Sequence, residues 1–347
     1  MDDEISTSPQ GGDLGLASPN DPSEQAAFRC SLASRARGDS LVATAAPAKR
    51  WLLIEMPGPW GRLGLADYRD DPALGRRVEK AAKDAGFRPM LIRRPGRPEK
   101  PMAPVTDSFT PATGPNQITA PNQITALKQN SATAFAIVDS RPGRESVHWG
   151  QYRNLEELAD PAVLPALATS PSDQPIYLVC THGRHDTCCA VSGRPVAAAM
   201  AASQHEQVWE CTHLGGDRFA ANVVALPFGN YYGRVDALDA LAIIDATERG
   251  SVVTRLSRGR SSLTPVEQAA QLFARVELGD DRAESLLPVC VEATSGQSWQ
   301  VTLGRDAARV IVDVVSEMSA PIRATCSHKE AVPMRELRGV KLRMEAK

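Results

Sequence analysis

Short apolar runs recur along this chain, separated by polar segments that carry helix and turn signals. Arg50–Gly61, "RWLLIEMPGPWG", opens apolar and ends in Pro/Gly punctuation, so it predicts a strand followed by a loop. Asp71–Gly86 has an N-cap residue in Asp71, Pro72 in the first turn and Gly86 as a stop, which predicts a helix. Phe87–Gly96 is the next strand, and the three segments form a β-α-β unit. Ala132–Ser140 reads as a buried strand.

The middle of the chain continues the alternation. Pro175–Cys180 predicts a strand that ends on a cysteine, and Gly193–Ser203 an Ala-rich helix just after the cysteine loop. Gln207–Gly216 predicts a strand running into a double-glycine turn. Arg218–Pro227 and Tyr231–Val235 follow as strands, then a helix over Asp236–Gly250. This order suits a small α/β domain on a thioredoxin-like plan. Leu263–Leu278 carries Thr264, Pro265 and Glu267 in capping-box spacing and predicts a helix. Pro288–Gly304 and Ala308–Cys326 alternate apolar with polar and read as late strands.

The expected organisation is α/β (α+β). A polar tail covers residues 1–27, and an α/β region 28–165. A thioredoxin-like domain follows over 166–250, and a helix with a mainly β extension over 251–347. Within 97–131 the hexapeptide "PNQITA" occurs twice in tandem, at 115–120 and 121–126. Two copies are too few for a solenoid, so this is expected to be a surface-loop insertion without functional content.

Composition narrows the function classes. In 347 residues, 42% are hydrophobic and 23% charged, as in ordinary globular chains, and the length suits about two domains. A net charge of −2 gives no basic excess for nucleic acid, and 5% aromatic residues argue against base stacking. No run reaches the roughly 18 apolar residues of a membrane span. The polar, acidic N-terminus lacks the features of a secretory signal. A cytoplasmic, reducing setting is therefore expected, in which the seven cysteines are thiols or metal ligands.

Those cysteines cluster. Cys180, Cys188, Cys189 and Cys211 fall within one short window. A polar loop containing Gly183 separates Cys180 from the Cys188–Cys189 pair and is long enough to bring both ends to one metal. Adjacent side chains point apart, so one of Cys188 and Cys189 is expected not to be a ligand. On the second segment, "CTHLGGD", Cys211 and His213 are two apart on an expected strand, hence on one face. Gly215 and Gly216 allow a tight turn that points His213 and Asp217 inward. Two ligand pairs from two loops is the logic of a four-ligand site. Buried unliganded thiols are the plain alternative, and His182 and His185 read as ordinary loop histidines.

"CTHGRHDTCC", "THLGGDRFAANVVALP", "YYGRV" and "SRGRS" together resemble the sucrase/ferredoxin-like family, over roughly residues 28–330. The resemblance extends to the family's bacterial members. It implies a thioredoxin-like protein that binds a [2Fe-2S] cluster. The family pattern Cys-x-His-Gly-x-x-Asp-x-x-Cys falls on Cys180, Asp186 and Cys189, and so chooses Cys189 over Cys188. The following His-x-Gly-Gly-His begins at His213 but meets Asp217 where the second histidine is expected. The implied ligands are Cys180, Cys189, His213 and a fourth from Asp217 or Cys211.

The expectation is an electron-transfer or redox-sensing protein, a carrier rather than a catalyst, working with a redox partner protein. The rivals are a structural zinc protein holding the same residues, and a thiol oxidoreductase using Cys188 or Cys189. The latter lacks a Cys-x-x-Cys motif. Arg234, Arg258 and Arg260 are candidates for a cationic patch that docks an acidic partner or a small anion.

Overall fold

The computed structural model describes residues 28–96 and 132–346. The tandem hexapeptide lies outside them. In chain order the elements are α1 (Cys30–Arg37), β1 (Arg50–Glu55), α2 (Pro72–Asp84), β2 (Phe87–Arg93), β3 (Thr133–Asp139), β4 (Ser146–Tyr152), a one-turn α3 (Leu164–Leu167) and β5 (Ser170–Ser172). They continue with β6 (Ile176–Cys180), α4 (Thr187–Gln204), β7 (Val208–Cys211), β8 (Val223–Leu226), β9 (Asn230–Tyr232), α5 (Ala237–Glu248), β10 (Ser257–Arg260), α6 (Pro265–Leu278), β11 (Leu287–Ser295), β12 (Ser298–Arg305), β13 (Ala308–Met318) and β14 (Arg335–Ala346). The protein is a mixed α/β fold with a C-terminal β extension.

Ten strands form one mixed sheet in the order β10-β9-β8-β6-β7-β2-β1-β3-β4-β5. Its two parallel pairs, β1 with β2 and β6 with β7, are each joined through a helix. The expected boundary near residue 165 therefore falls inside a continuous sheet, closed by the pairing of β2 with β7 at Ile92–Cys211 and Arg93–Glu210. Strands buried on both faces read as unbroken apolar runs, and Ile176–Cys180 is buried at every position. One face packs Tyr177, Val179, Val196, Met200 and Ile243; the other packs Trp51, Leu178, Trp209, Leu226 and Tyr231.

Most helix signals are realised. Asp71 accepts from the backbone N–H groups of Ala73 and Leu74, and Thr264 with Glu267 forms the capping box of α6. Helix α4 starts earlier than the sequence implied. Asp186 caps it by accepting from Cys188 N at 2.8 Å, so Cys188 and Cys189 lie inside the first turn. The strand over Gln207–Gly216 stops at Cys211, so His213 is not its face neighbour.

The second sheet, β11-β12-β13-β14, is antiparallel and packs Val301, Leu303, Val312 and Val314 against Ala270 and Ala274 of α6. Buried Asp280 joins this sheet to the end of α6. Its carboxylate accepts from Arg282 (2.7 Å), Ser285 (2.8 Å) and Arg305 of β12 (3.0 Å). The Arg282 bond, aided by Ser285 and Arg305, outweighs burial and holds the carboxyl well below its ordinary range.

A carboxyl whose folded pKa is depressed adds stability that is present above its unfolded pKa, about 4, and lost as pH falls toward the folded value. Asp280→Asn is therefore expected to cost about 2 kcal/mol at neutral pH in denaturant unfolding. The difference from wild type should narrow below about pH 4. A gap that stays constant with pH would refute the assignment.

Candidate metal centre

The site lies beyond the carboxyl ends of β6 and β7, where adjacent parallel strands leave a crevice. Cys180 ends β6 and Cys189 sits in the first turn of α4; both are 1% exposed. Helix α4 can approach the strand end because Gly193 faces it: a Cβ there would stand 2.1 Å from the Cys180 carbonyl oxygen.

The second half of the site comes from the turn after β7. Gly215 and Gly216 have φ of +94° and +77°, the left-handed region open to glycine. The turn brings His213 Nδ1 to 3.0 Å from Asp217 Oδ1. The two atoms lack hydrogen-bond alignment, so this buried imidazole nitrogen has no hydrogen-bond partner. The Cys189 thiol donates to Asp217 Oδ1 at 3.2 Å. One donor atom each from Cys180, Cys189 and His213 falls within 4.8 Å of the others, as do those of His185, His213 and Asp217.

Charges in the site are mutually tuned. The neighbouring Cys189 thiol, against burial, draws the Cys180 pKa down to about 7, while Cys189 itself is pushed up by Cys180 and by burial. Burial opposes the charged forms of His213 and Asp217, but their proximity overrides it: His213 is raised and Asp217 lowered. The set offers two cysteine sulfurs, an imidazole and a carboxylate, a donor mixture that suits iron or zinc.

The carbonyls of the turn are gripped one by one. Arg88 donates to His213 O (3.3 Å) and Leu214 O (2.9 Å), Arg258 to Gly215 O (2.8 Å), and Asn222 to Gly216 O (3.0 Å). Arg258 also donates to Asn222 Oδ1 at 2.7 Å and to both oxygens of Thr44. This corrects the expected cationic patch. Arg258 and Arg260 are each 1% exposed, because their guanidiniums satisfy loops: Arg258 the glycine turn, Arg260 Glu145 and the Ser140 carbonyl. Arg234 is partly exposed and ties Ser34 O and Asp39 O. Cys211 faces the apolar core with Trp209 and Leu214 and is not among the converging donors. Cys188 is 2% exposed and belongs to a different group of cysteines; neither it nor Cys189 is an accessible exchanging thiol.

Two residues read as ordinary loop histidines complete the site. His185 stacks on His213 with ring centroids 3.7 Å apart, and its Nε2 lies 3.7 Å from Asp217 Oδ2. His182 Nε2 bonds to the Gly61 carbonyl oxygen at 2.7 Å, with Trp60 edge-on to its ring. The imidazoles open into a cavity of roughly 500 Å³ lined also by Arg62, Leu63 and Arg88. The spacing His182-x-x-His185 was visible in the sequence. Its junction with His213 was not, because it depends on the pairing of β6 with β7.

The family model described as sucrase/ferredoxin-like matches residues 41–259. Altered inheritance of mitochondria protein 32 from Meyerozyma guilliermondii is 33% identical over 90 residues, 23% of this chain and 32% of that protein. This chain thus spans about a third of that relative's length. A thioredoxin-like [2Fe-2S] ferredoxin from Aquifex aeolicus is similar over 26% of this chain and 94% of its own, at 20% identity and a TM-score of 0.23. A serine-for-cysteine variant of the thioredoxin-like [2Fe-2S] ferredoxin from Aquifex aeolicus matches over 24% of this chain and 97% of its own, at 21% identity and 0.22. Among the described residues no helix is long and apolar enough to cross a membrane.

The glycine turn yields an ordering that can be measured. A Cβ on Gly216 would stand 2.3 Å from Arg258 Nη2, which is fixed by its bonds; on Gly215 it would make an ordinary 3.5 Å contact with Ala46. Gly216→Ala should therefore destabilise by about 2 kcal/mol or more and Gly215→Ala by about 1 kcal/mol, for backbone strain alone. Denaturant unfolding checks this, and a reversed order would show that Arg258 does not fix the turn.

Proposed function

The chain belongs to the sucrase/ferredoxin-like family, and from that premise we propose that it is an electron-transfer or redox-sensing protein carrying a [2Fe-2S] cluster held by Cys180, Cys189, His213 and Asp217. One observation carries the reading. Two buried thiols, at the end of β6 and in the first turn of α4, converge with His213 of the β7–β8 turn, whose Nδ1 lacks a hydrogen-bond partner, and Cys189 also meets the buried carboxylate of Asp217. When bound, such a cluster supplies one-electron redox chemistry near the protein surface.

The residues fit the group in donor chemistry and in charge. Asp217 is favoured over Cys211 as the fourth ligand because it touches both His213 and Cys189, whereas Cys211 packs in the core. Arg258 places positive charge near Asp217, and Arg88 near His213. His213 and His185 have side chains 31% and 28% exposed, so the imidazole edge is the face a redox partner can approach. Exposed Arg62 and Leu63 border that face. All seven cysteines are free thiols, which suits a reducing compartment such as the cytoplasm.

Anaerobically purified protein is expected to contain two irons and two acid-labile sulfides per chain, and to give a paramagnetic resonance signal on reduction. Cys180→Ser and Cys189→Ser should abolish both. Asp217→His removes one negative charge from the ligand set. It should raise the potential by on the order of 100 mV, since exchanging two thiolates for imidazoles separates Rieske centres from plant-type ferredoxins by a few hundred. Zinc at this site with no iron or sulfide would overturn the electron-transfer reading in favour of a structural zinc protein.

A further inference from the structure

The cysteine adjacent to the proposed cluster ligand points into a second group. Cys188 Sγ lies 3.3 Å from Cys326 Sγ, and Cys326 Sγ lies 3.6 Å from Cys30 Sγ. Cys30 Sγ is 3.8 Å from both carboxylate oxygens of Asp186. These four residues come from three distant parts of the chain: the start of α1, the start of α4, and the connection between β13 and β14. All four donor atoms lie within 4.8 Å of one another. Cys30, Cys188 and Asp186 are 0%, 2% and 3% exposed, and Cys326 forms the partly open side.

We propose that Cys30, Cys188, Cys326 and Asp186 form a second metal site, a tetrahedral three-sulfur, one-oxygen site for zinc or a similar soft divalent ion. Geometry supports a single ion. Metal–sulfur bonds of about 2.3 Å and metal–oxygen bonds of about 2.0 Å in a tetrahedron give sulfur–sulfur edges of about 3.8 Å and sulfur–oxygen edges of about 3.5 Å. The Cys188–Cys326, Cys326–Cys30 and Cys30–Asp186 edges, at 3.3, 3.6 and 3.8 Å, lie within about half an ångström of these, and the remaining edges are under 4.8 Å.

The carboxylate is already oriented. Asp186 Oδ1 accepts from Cys188 N at 2.8 Å and Oδ2 from Cys326 N at 2.6 Å, which leaves each oxygen a further lone pair. The thiols of Cys30 and Cys188 sit in the first turns of α1 and α4, which fixes where both side chains leave the backbone. Ala220 and Phe28 enclose the group on its apolar side. Three thiols gathered around one buried carboxylate can release their protons to a single cation, which would then neutralise the thiolates it binds. The ion would tie α1 and the β13–β14 connection to the helix that carries Cys189, and would act as a structural staple.

The test uses full-length protein purified anaerobically under reducing conditions, with metals counted per chain by mass spectrometry. Cys30→Ser and Cys326→Ser should each lower zinc by one equivalent and leave iron and visible absorbance unchanged, while Cys180→Ser should lower iron and leave that zinc. Cys326→His should keep the zinc, which separates ligand loss from misfolding. If the first centre itself holds zinc, wild type should contain two equivalents and Cys326→Ser one, so the two proposals fail separately. In wild type, iodoacetamide should label Cys326 at least tenfold faster after chelation than before. Unchanged zinc in Cys326→Ser, iron falling with Cys30→Ser, an equal labelling rate, or an intact mass showing a disulfide among these thiols would each overturn the site.

Discussion

Two guanidiniums, Arg258 fully buried and Arg88 half-buried, hold the backbone turn on which the first centre depends, and neither has a carboxylate partner among the described residues. Arg88 and Arg258 bond the carbonyls of His213, Leu214 and Gly215, and Asn222 takes that of Gly216. In this turn with two consecutive positive-φ glycines only the Gly216 carbonyl meets a backbone donor, Phe219 N at 2.8 Å, and unsatisfied buried carbonyls are costly. The same bonds that satisfy them fix the direction in which His213 and Asp217 leave the backbone. Burial lowers Arg258 only to about 10, so it stays charged at neutral pH and faces the anionic donors across the turn. Stability of the turn and electrostatics of the site are therefore one interaction.

Adjacent cysteines at 188 and 189 follow from the start of α4. In a helix, neighbouring side chains diverge by about 100° around the axis, so one helical turn can serve two separate clusters. Cys189 meets Cys180, His213 and Asp217; Cys188 meets Cys30 and Cys326. Asp186, which caps the helix through Cys188 N, joins the second group through its own oxygens. A shift of the helix start by one residue would put one thiol in the other's place and turn the second away from both clusters, which explains why the cap and the loop length before it matter together.

How much of this was legible depended on the range of the cause. Local signals gave β1, α2, β2, β6 and α6, because apolar runs, Asp71, Pro72 and the Thr264–Glu267 box act within a few residues. The first turn of α4 was missed because Thr187, Cys188, Cys189 and Gly193 are poor helix formers, and tertiary packing against β6 overrides propensity. Strand β10, "SRGR", was missed as a buried strand because its arginines look solvated until Glu145, Asn222 and loop carbonyls are seen around them. The same blindness made those arginines look like a surface patch. Cys30 and Cys326 carried no local signal at all; only the closure of the chain brings them to Cys188.

Asp217, where the family pattern has histidine, makes sense once the neighbouring imidazoles are counted. His185 stacks on His213 and reaches toward the second Asp217 oxygen, so the carboxylate faces two imidazoles and a thiol. A histidine at 217 would be a third ring against that stack, with three groups competing for positive charge in a space where burial already lowers the pKa of His182 and His185. The carboxylate replaces that repulsion with attraction. His185, in the loop between the two cysteines, adds a second imidazole beside Asp217, so the site is rich in nitrogen donors while its buried end is anionic. That anionic end is what the otherwise unpaired Arg258 and Arg88 are placed to balance.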